Sequence, residues 1–169
     1  SVSVVNDRLQ TVHSHVKIVM LDFSGVKLFE KVIPTVLSTD VCQPVFEIPV
    51  ADLLKDVDPG QVLLAMSVIE KKKLISENVF YFVSPGKLDL PKPDIQAKIA
   101  ETANGCKITL TSSVFAKNVY LSVKDMDGFF DDNYFDLLPG QTKSVILKTA
   151  NKSGLNRKKL EIRSLVDTY

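Results

Sequence analysis

The chain has 169 residues, 45% hydrophobic and 24% charged, with 21 Lys plus Arg against 20 Asp plus Glu. That length suits one large domain or two small ones, and the composition is that of a packed core, not of a disordered chain. A formal net charge of +1 supplies no strong field for a phosphate backbone, so no nucleic-acid partner is expected. No apolar run approaches the roughly 20 residues that cross a bilayer, so no membrane partner is expected either. The opening Ser1-Val2-Ser3-Val4 has no charged n-region or cleavage pattern and reads as a mature or excised start.

Short runs with period two or continuous β-branched character predict strands at Val2 to Val5, Val16 to Leu21, Lys31 to Leu37, Val45 to Ile48, Val62 to Ile69 and Glu77 to Val83. Asp22-Phe23-Ser24-Gly25 and Glu70-Lys71-Lys72-Lys73 read as hairpin connections, and Ala51 to Val57 is the one plausible helix, a turn or two long. The stretch from Ser84 to Asp94 carries three of the eight prolines, which disfavour both helix and central strand, and marks a boundary between residues 1–88 and 89–169. Beyond it, strands are predicted at Ile95 to Ala100, Lys107 to Thr111, Val119 to Val123, Tyr134 to Leu137, Thr142 to Lys148 and Leu160 to Leu165. Pro139-Gly140 fits the centre of a type II turn, with Gly140 where positive φ is required, and Asp58-Pro59-Gly60-Gln61 repeats that turn chemistry. Six or so strands per half with polar turns at regular intervals give an all-β chain of two tandem antiparallel immunoglobulin-like β-sandwiches.

Glycoside hydrolysis needs two carboxylates flanking a sugar. Asp125, Asp127, Asp131, Asp132 and Asp136 cluster, but in predicted turns, where such side chains serve local hydrogen bonds. Asp125-Met126-Asp127-Gly128 lacks the later bidentate Glu of a calcium loop. His13 and His15 share a strand face without a third ligand, and no metal or other cofactor is assigned. There is no Gly-x-Ser-x-Gly elbow, no cysteine beside a suitable histidine and no Gly-rich phosphate loop. Cys42 and Cys106 are too few for a disulfide scaffold and read as small buried apolar groups. Asn151-Lys152-Ser153 fits the glycosylation sequon, a triplet common by chance. Trp is absent, and Phe80, Phe82, Phe129, Phe130 and Phe135 fall in runs that core packing explains. Tyr81 and Tyr134 are the candidate outward contacts with a sugar or, preferably, with a neighbouring domain. No residue is assigned as catalytic.

Phe130 to Gly140 (FDDNYFDLLPG) and the terminal Arg163 to Tyr169 closely resemble the tail of β-mannosidases of glycoside hydrolase family 2. The likeness extends to Val4-Val5-Asn6-Asp7-Arg8 as an opening strand, Asp22 to Gly25 as a hairpin, Ile75 to Phe82 as a closing strand and Lys87 to Pro91 as a hinge. What the resemblance implies is an enzyme with a jelly-roll domain, an immunoglobulin-like sandwich, a (β/α)₈ barrel carrying both catalytic glutamates, and C-terminal sandwiches. This chain lacks the alternation of strand and helix, and the ~250 residues, that such a barrel needs. The resemblance therefore implies a non-catalytic accessory fragment, inactive alone, of an enzyme that removes terminal non-reducing β-D-mannose. Its partners would be the catalytic barrel and other domains of the same polypeptide, with an oligosaccharide as a candidate ligand. The compartment would be periplasmic or extracellular in a bacterium and lysosomal in an animal. The alternatives are an independent carbohydrate-binding module and a surface-interaction sandwich.

Overall fold

The computed structural model describes residues 1–103, 105–124, 127–149 and 155–168. They form two compact units, one of Ser1–Asp22 and Val26–Asp89, the other of Phe23–Gly25 and Leu90–Tyr169. Both are antiparallel, immunoglobulin-like β-sandwiches.

The first unit contains β1 (Val2–Asn6), β2 (Val12–Asp22), β3 (Lys27–Leu37), β4 (Val41–Phe46), the short helix α1 (Val50–Leu54), β5 (Val62–Glu70) and β6 (Lys73–Tyr81). A four-stranded sheet in the order β3-β2-β5-β6 faces a two-stranded sheet of β1 and β4. The period-two pattern of β2 explains the layering, because Val12, Ser14, Val16, Ile18 and Met20 are buried while His13 and His15 between them are exposed. Val16, Ile18 and Met20 meet Val62 and Leu64 of β5 and Leu53 of α1 in the core. Each such buried aliphatic side chain contributes roughly 1.5–3 kcal/mol before entropy is charged against it. The helix expected over Ala51 to Val57 stops at Leu54 because Lys55 turns into the left-handed region at φ 50°.

A buried asparagine ties the end of β1 to the end of β3. Asn6 Nδ2 donates to the carbonyls of Gln10 (3.0 Å), Leu37 (3.1 Å) and Ser38 (3.1 Å), and its Oδ1 accepts from the Arg8 amide at 3.2 Å. Both expected hairpins are present. Asp22 Oδ1 accepts from the Val26 amide at 2.9 Å in the first. In the second, Glu70 pairs with Lys73 across Lys71 and Lys72, whose φ values of 48° and 68° are those a type I′ turn requires.

The second unit contains β7 (Gln96–Thr102), β8 (Gly105–Thr111), β9 (Ala116–Val123), β10 (Phe129–Phe130), β11 (Phe135–Leu137), β12 (Thr142–Lys148) and β13 (Leu160–Arg163). A four-stranded sheet, β10-β12-β8-β7, faces a three-stranded one, β11-β9-β13. Ile108, Leu110, Val119, Leu121, Leu137, Val145, Leu147 and Leu160 fill the space between them.

Several expectations are corrected. β4 begins four residues before the predicted Val45, and β6 covers Lys73–Tyr81 instead of Glu77 to Val83. β10 has only two residues, too few for a periodic signal. Leu165–Thr168 is a turn of 3₁₀ helix instead of the end of a strand, fastened by Asp167 Oδ2, which accepts from the Ser164 amide (2.8 Å) and hydroxyl (3.0 Å). Cys42 is exposed on β4, whereas Cys106 is buried. Asp125, Met126 and the sequon Asn151-Lys152-Ser153 lie outside the described residues.

The two Pro-Gly turns share an i→i+3 closure but differ in physics. Gln141 N–H reaches the Leu138 carbonyl at 3.0 Å with Gly140 at φ +71°, the backbone of a type II turn. Gln61 N–H reaches the Asp58 carbonyl at 3.1 Å, but Gly60 does not take positive φ, and Asp58 Oδ1 accepts from its amide at 2.8 Å. Gly60 is required there for close approach, since a Cβ would meet the Lys87 carbonyl oxygen at 2.9 Å. The proline-rich segment is accordingly not loose throughout. Pro85–Lys87 forms a 3₁₀ turn, Leu88 is buried, and the Asp89 amide donates to the Gly60 carbonyl at 2.9 Å.

Replacing Gly140 by Val is expected to destabilise the protein by about 1–3 kcal/mol through backbone strain alone, since no atom lies within 4 Å of the added Cβ. Asn6→Ala should cost about 2–3 kcal/mol by orphaning buried backbone groups. Urea or thermal unfolding of the two variants checks both, and a variant as stable as the parent would contradict the role given to that residue.

Candidate functional site

Asp131, Asp132 and Asp136, between β9 and β12, are the first acids to examine for chemistry, and the fold occupies them. Asp131 Oδ1 accepts from the Ile146 amide at 2.7 Å while its own amide donates to the Ile146 carbonyl at 3.0 Å. Asp132 pairs with Lys143 at 2.6 Å. Asp136 Oδ1 accepts from the Asn118 amide at 2.9 Å, and its Oδ2 lies 3.5 Å from the buried Lys117 ammonium. Asn133 completes the set, its Oδ1 accepting from the Leu121 amide at 2.8 Å and its Nδ2 donating to the Leu121 carbonyl at 3.0 Å. These are the hydrogen bonds of a strand made by side chains, and they reach other strands 12 to 18 residues away instead of staying within the turn as the sequence reading expects.

Tyr134 is not part of β11. It precedes the strand with φ 60°, its amide bound to the Asn133 side chain at 3.2 Å, and is 68% exposed. Its ring lies 5.0 Å from that of Tyr120, inclined by 32°. Tyr81 ends β6 in the first unit, half-buried and opposite Leu63. The two candidate tyrosines therefore belong to different units. Sequence reasoning missed Tyr120, whose place on β9 opposite Arg163 of β13 is visible only from the register.

The same register places Ser122 opposite Glu161. Glu161 takes a hydrogen bond from Ser122 Oγ at 3.2 Å, lies 2.9 Å from Lys124 Nζ and 3.7 Å from the Arg163 guanidinium. The Lys124 ammonium first, then the Ser122 hydroxyl, hold its carboxyl below its ordinary range, so it stays an acceptor to more acidic pH than a free glutamate. Phe129 of the second unit is 69% exposed and, in the first unit, Phe80 is 50% exposed, so core packing does not account for either ring.

The first unit carries two clefts of about 470 and 400 Å³. The first is lined by Val2, Val4, Met66, Val68 and Ile75 with Asp7 as its one acid, and the second by Phe46, Leu64, Phe80 and Phe82 with none. Neither presents paired carboxylates. His13 and His15 are exposed on β2, and no group of three or more His, Cys, Asp or Glu that could hold a metal occurs among the described residues. No helix among them is long and apolar enough to cross a membrane.

Known proteins share this fold over nearly the whole chain. A β-D-mannosidase from Dictyoglomus thermophilum superposes with a TM-score of 0.72 at 20% identity, over 96% of this chain and 20% of that one. The exo-chitosanase CsxA of Amycolatopsis orientalis does so with a TM-score of 0.67 at 14% identity, over 96% of this chain and 25% of that one. The chain thus spans only a fifth to a quarter of the length of these enzymes. No curated protein sequence matches it. The family model of the Mannosidase Ig/CBM-like domain matches residues 1–85 and that of the mannosidase Ig-fold domain residues 90–168. With two consecutive family matches and the sandwich topology in agreement, the chain belongs to the mannosidase immunoglobulin-like domain family.

Proposed function

We propose that this chain is a non-catalytic accessory portion of a β-mannosidase-like glycoside hydrolase of family 2, whose parent enzyme removes terminal non-reducing β-D-mannose. The observation that carries the reading is the pair of consecutive family matches, combined with a structural likeness that spans only part of much larger glycosidases. The first sandwich is taken as residues 1–88 and the second as 89–169. Their partners are the catalytic barrel and other domains of the same polypeptide, with Tyr81 as a contact to a neighbouring domain. The side-chain chemistry supports the absence of turnover here, because Asp131 and Asp136 are occupied by backbone amides and the clefts of the first unit lack an acid pair.

The chain alone is expected to hydrolyse no aryl β-D-mannoside. Release of the aryl group is the measurement. Turnover that co-purifies with the chain and disappears when Asp132 or Asp136 is replaced by Asn would overturn the accessory reading.

A further inference from the structure

The outer face of the three-stranded sheet in the second unit is unlike an ordinary solvated strand surface. Side chains alternate along β9, so that Val119, Leu121 and Val123 point into the core while Tyr120 and Ser122 point out. The register adds Arg163 and Glu161 of β13 beside them, and Tyr134 closes the other side of Tyr120 at 5.0 Å. The result is a pair of tyrosine rings flanked by a fixed carboxylate and a guanidinium 61% exposed. A cleft of about 350 Å³ adjoins it, lined by Tyr120, Ser122, Phe129, Phe130 and Asn133. That volume lies at the lower end of the about 300–1,000 Å³ seen for small-ligand sites.

We propose that this face binds a pyranose ring, with the exposed Tyr134, backed by Tyr120, stacking on its C–H face and Glu161 and Arg163 hydrogen-bonding its hydroxyls. The chemistry fits because a pyranose is amphipathic in the same pattern. It offers a patch of aliphatic C–H to an aromatic face and a rim of hydroxyls that both donate and accept. Glu161 is positioned as an acceptor by Lys124 and Ser122, and Arg163 supplies a planar fork of donors. A protein partner fits less well, since the centre of a protein interface is depleted of charge and here Lys124, Glu161 and Arg163 stand directly beside the rings. Tyr134 is held for display. Its amide is tethered to Asn133, which is itself clamped to Leu121 of β9, so the ring is carried on the sheet instead of on a loose loop.

The inference stands apart from the accessory reading, because a chain without hydrolytic activity either binds sugar at this face or does not. The test is an NMR titration of the chain with β-1,4-mannobiose and, as the gluco-configured arm, cellobiose. Saturable shifts are expected at Tyr120, Ser122, Tyr134, Glu161 and Arg163 and not around Tyr81. As the chain has no Trp, tyrosine emission gives a second readout of the same event. Tyr134→Ala should weaken binding about tenfold or more, the loss of one good contact, while Tyr134→Phe retains it and Glu161→Gln weakens it severalfold. If Tyr134→Ala fails to fold, Glu161→Gln and Arg163→Ala decide, and both must weaken binding. The proposal is overturned if neither disaccharide gives saturable shifts at tens of millimolar, if the shifts centre on Tyr81, or if the decisive variants bind as the parent does.

Discussion

Where the chain leaves β10 in one sheet and enters β11 in the other, it must pass between strands whose backbone groups still need partners. Three side chains meet that demand. Asp131 bonds to the Ile146 amide of β12, Asn133 to both the amide and the carbonyl of Leu121 in β9, and Asp136 to the Asn118 amide. Leu121 is buried, and a buried backbone group left without a partner costs about 1–3 kcal/mol, so the Asn133 pair of bonds carries the largest share. The crossing also sets the direction of Tyr134 and thereby the aromatic face beside β9.

The same bonds limit what the acids can do chemically. Asp131 and Asp136 each have an oxygen engaged by a backbone amide, and Asp132 and Asp136 are paired with lysines, so these carboxylates already have partners within the fold. An acid-rich stretch that would draw attention in a search for catalytic residues is thus spent on architecture.

In the first unit Asn6 plays the corresponding part, satisfying carbonyls at the end of β3 from the end of β1. The two-stranded sheet of β1 and β4 leaves clefts over β5 and β6, lined mainly by aliphatic and aromatic side chains, with Asp7 as the one acid among them.

The period-two runs, the polar turns and the Pro-Gly pairs settle from sequence alone that the chain is all-β, that it forms sandwiches and that Gly140 takes positive φ, because these depend on neighbours one to three residues away. The residues from Phe130 to Gly140 likewise point to the family without any coordinates. Other features are decided only by residues far apart in the chain. Asp58-Pro59-Gly60 reads like Leu138-Pro139-Gly140, yet its backbone differs because the Asp58 side chain captures the Gly60 amide and the Lys87 carbonyl crowds the glycine. Tyr134 reads as the first residue of a strand, but the Asn133 clamp on β9 places it in the left-handed region before the strand begins. Cys42 reads as a buried group and lies exposed, since burial depends on which strand faces it. The association of Tyr120 with Tyr134, Glu161 and Arg163 requires the register of β13 on β9, a pairing between residues some forty positions apart that no local pattern encodes.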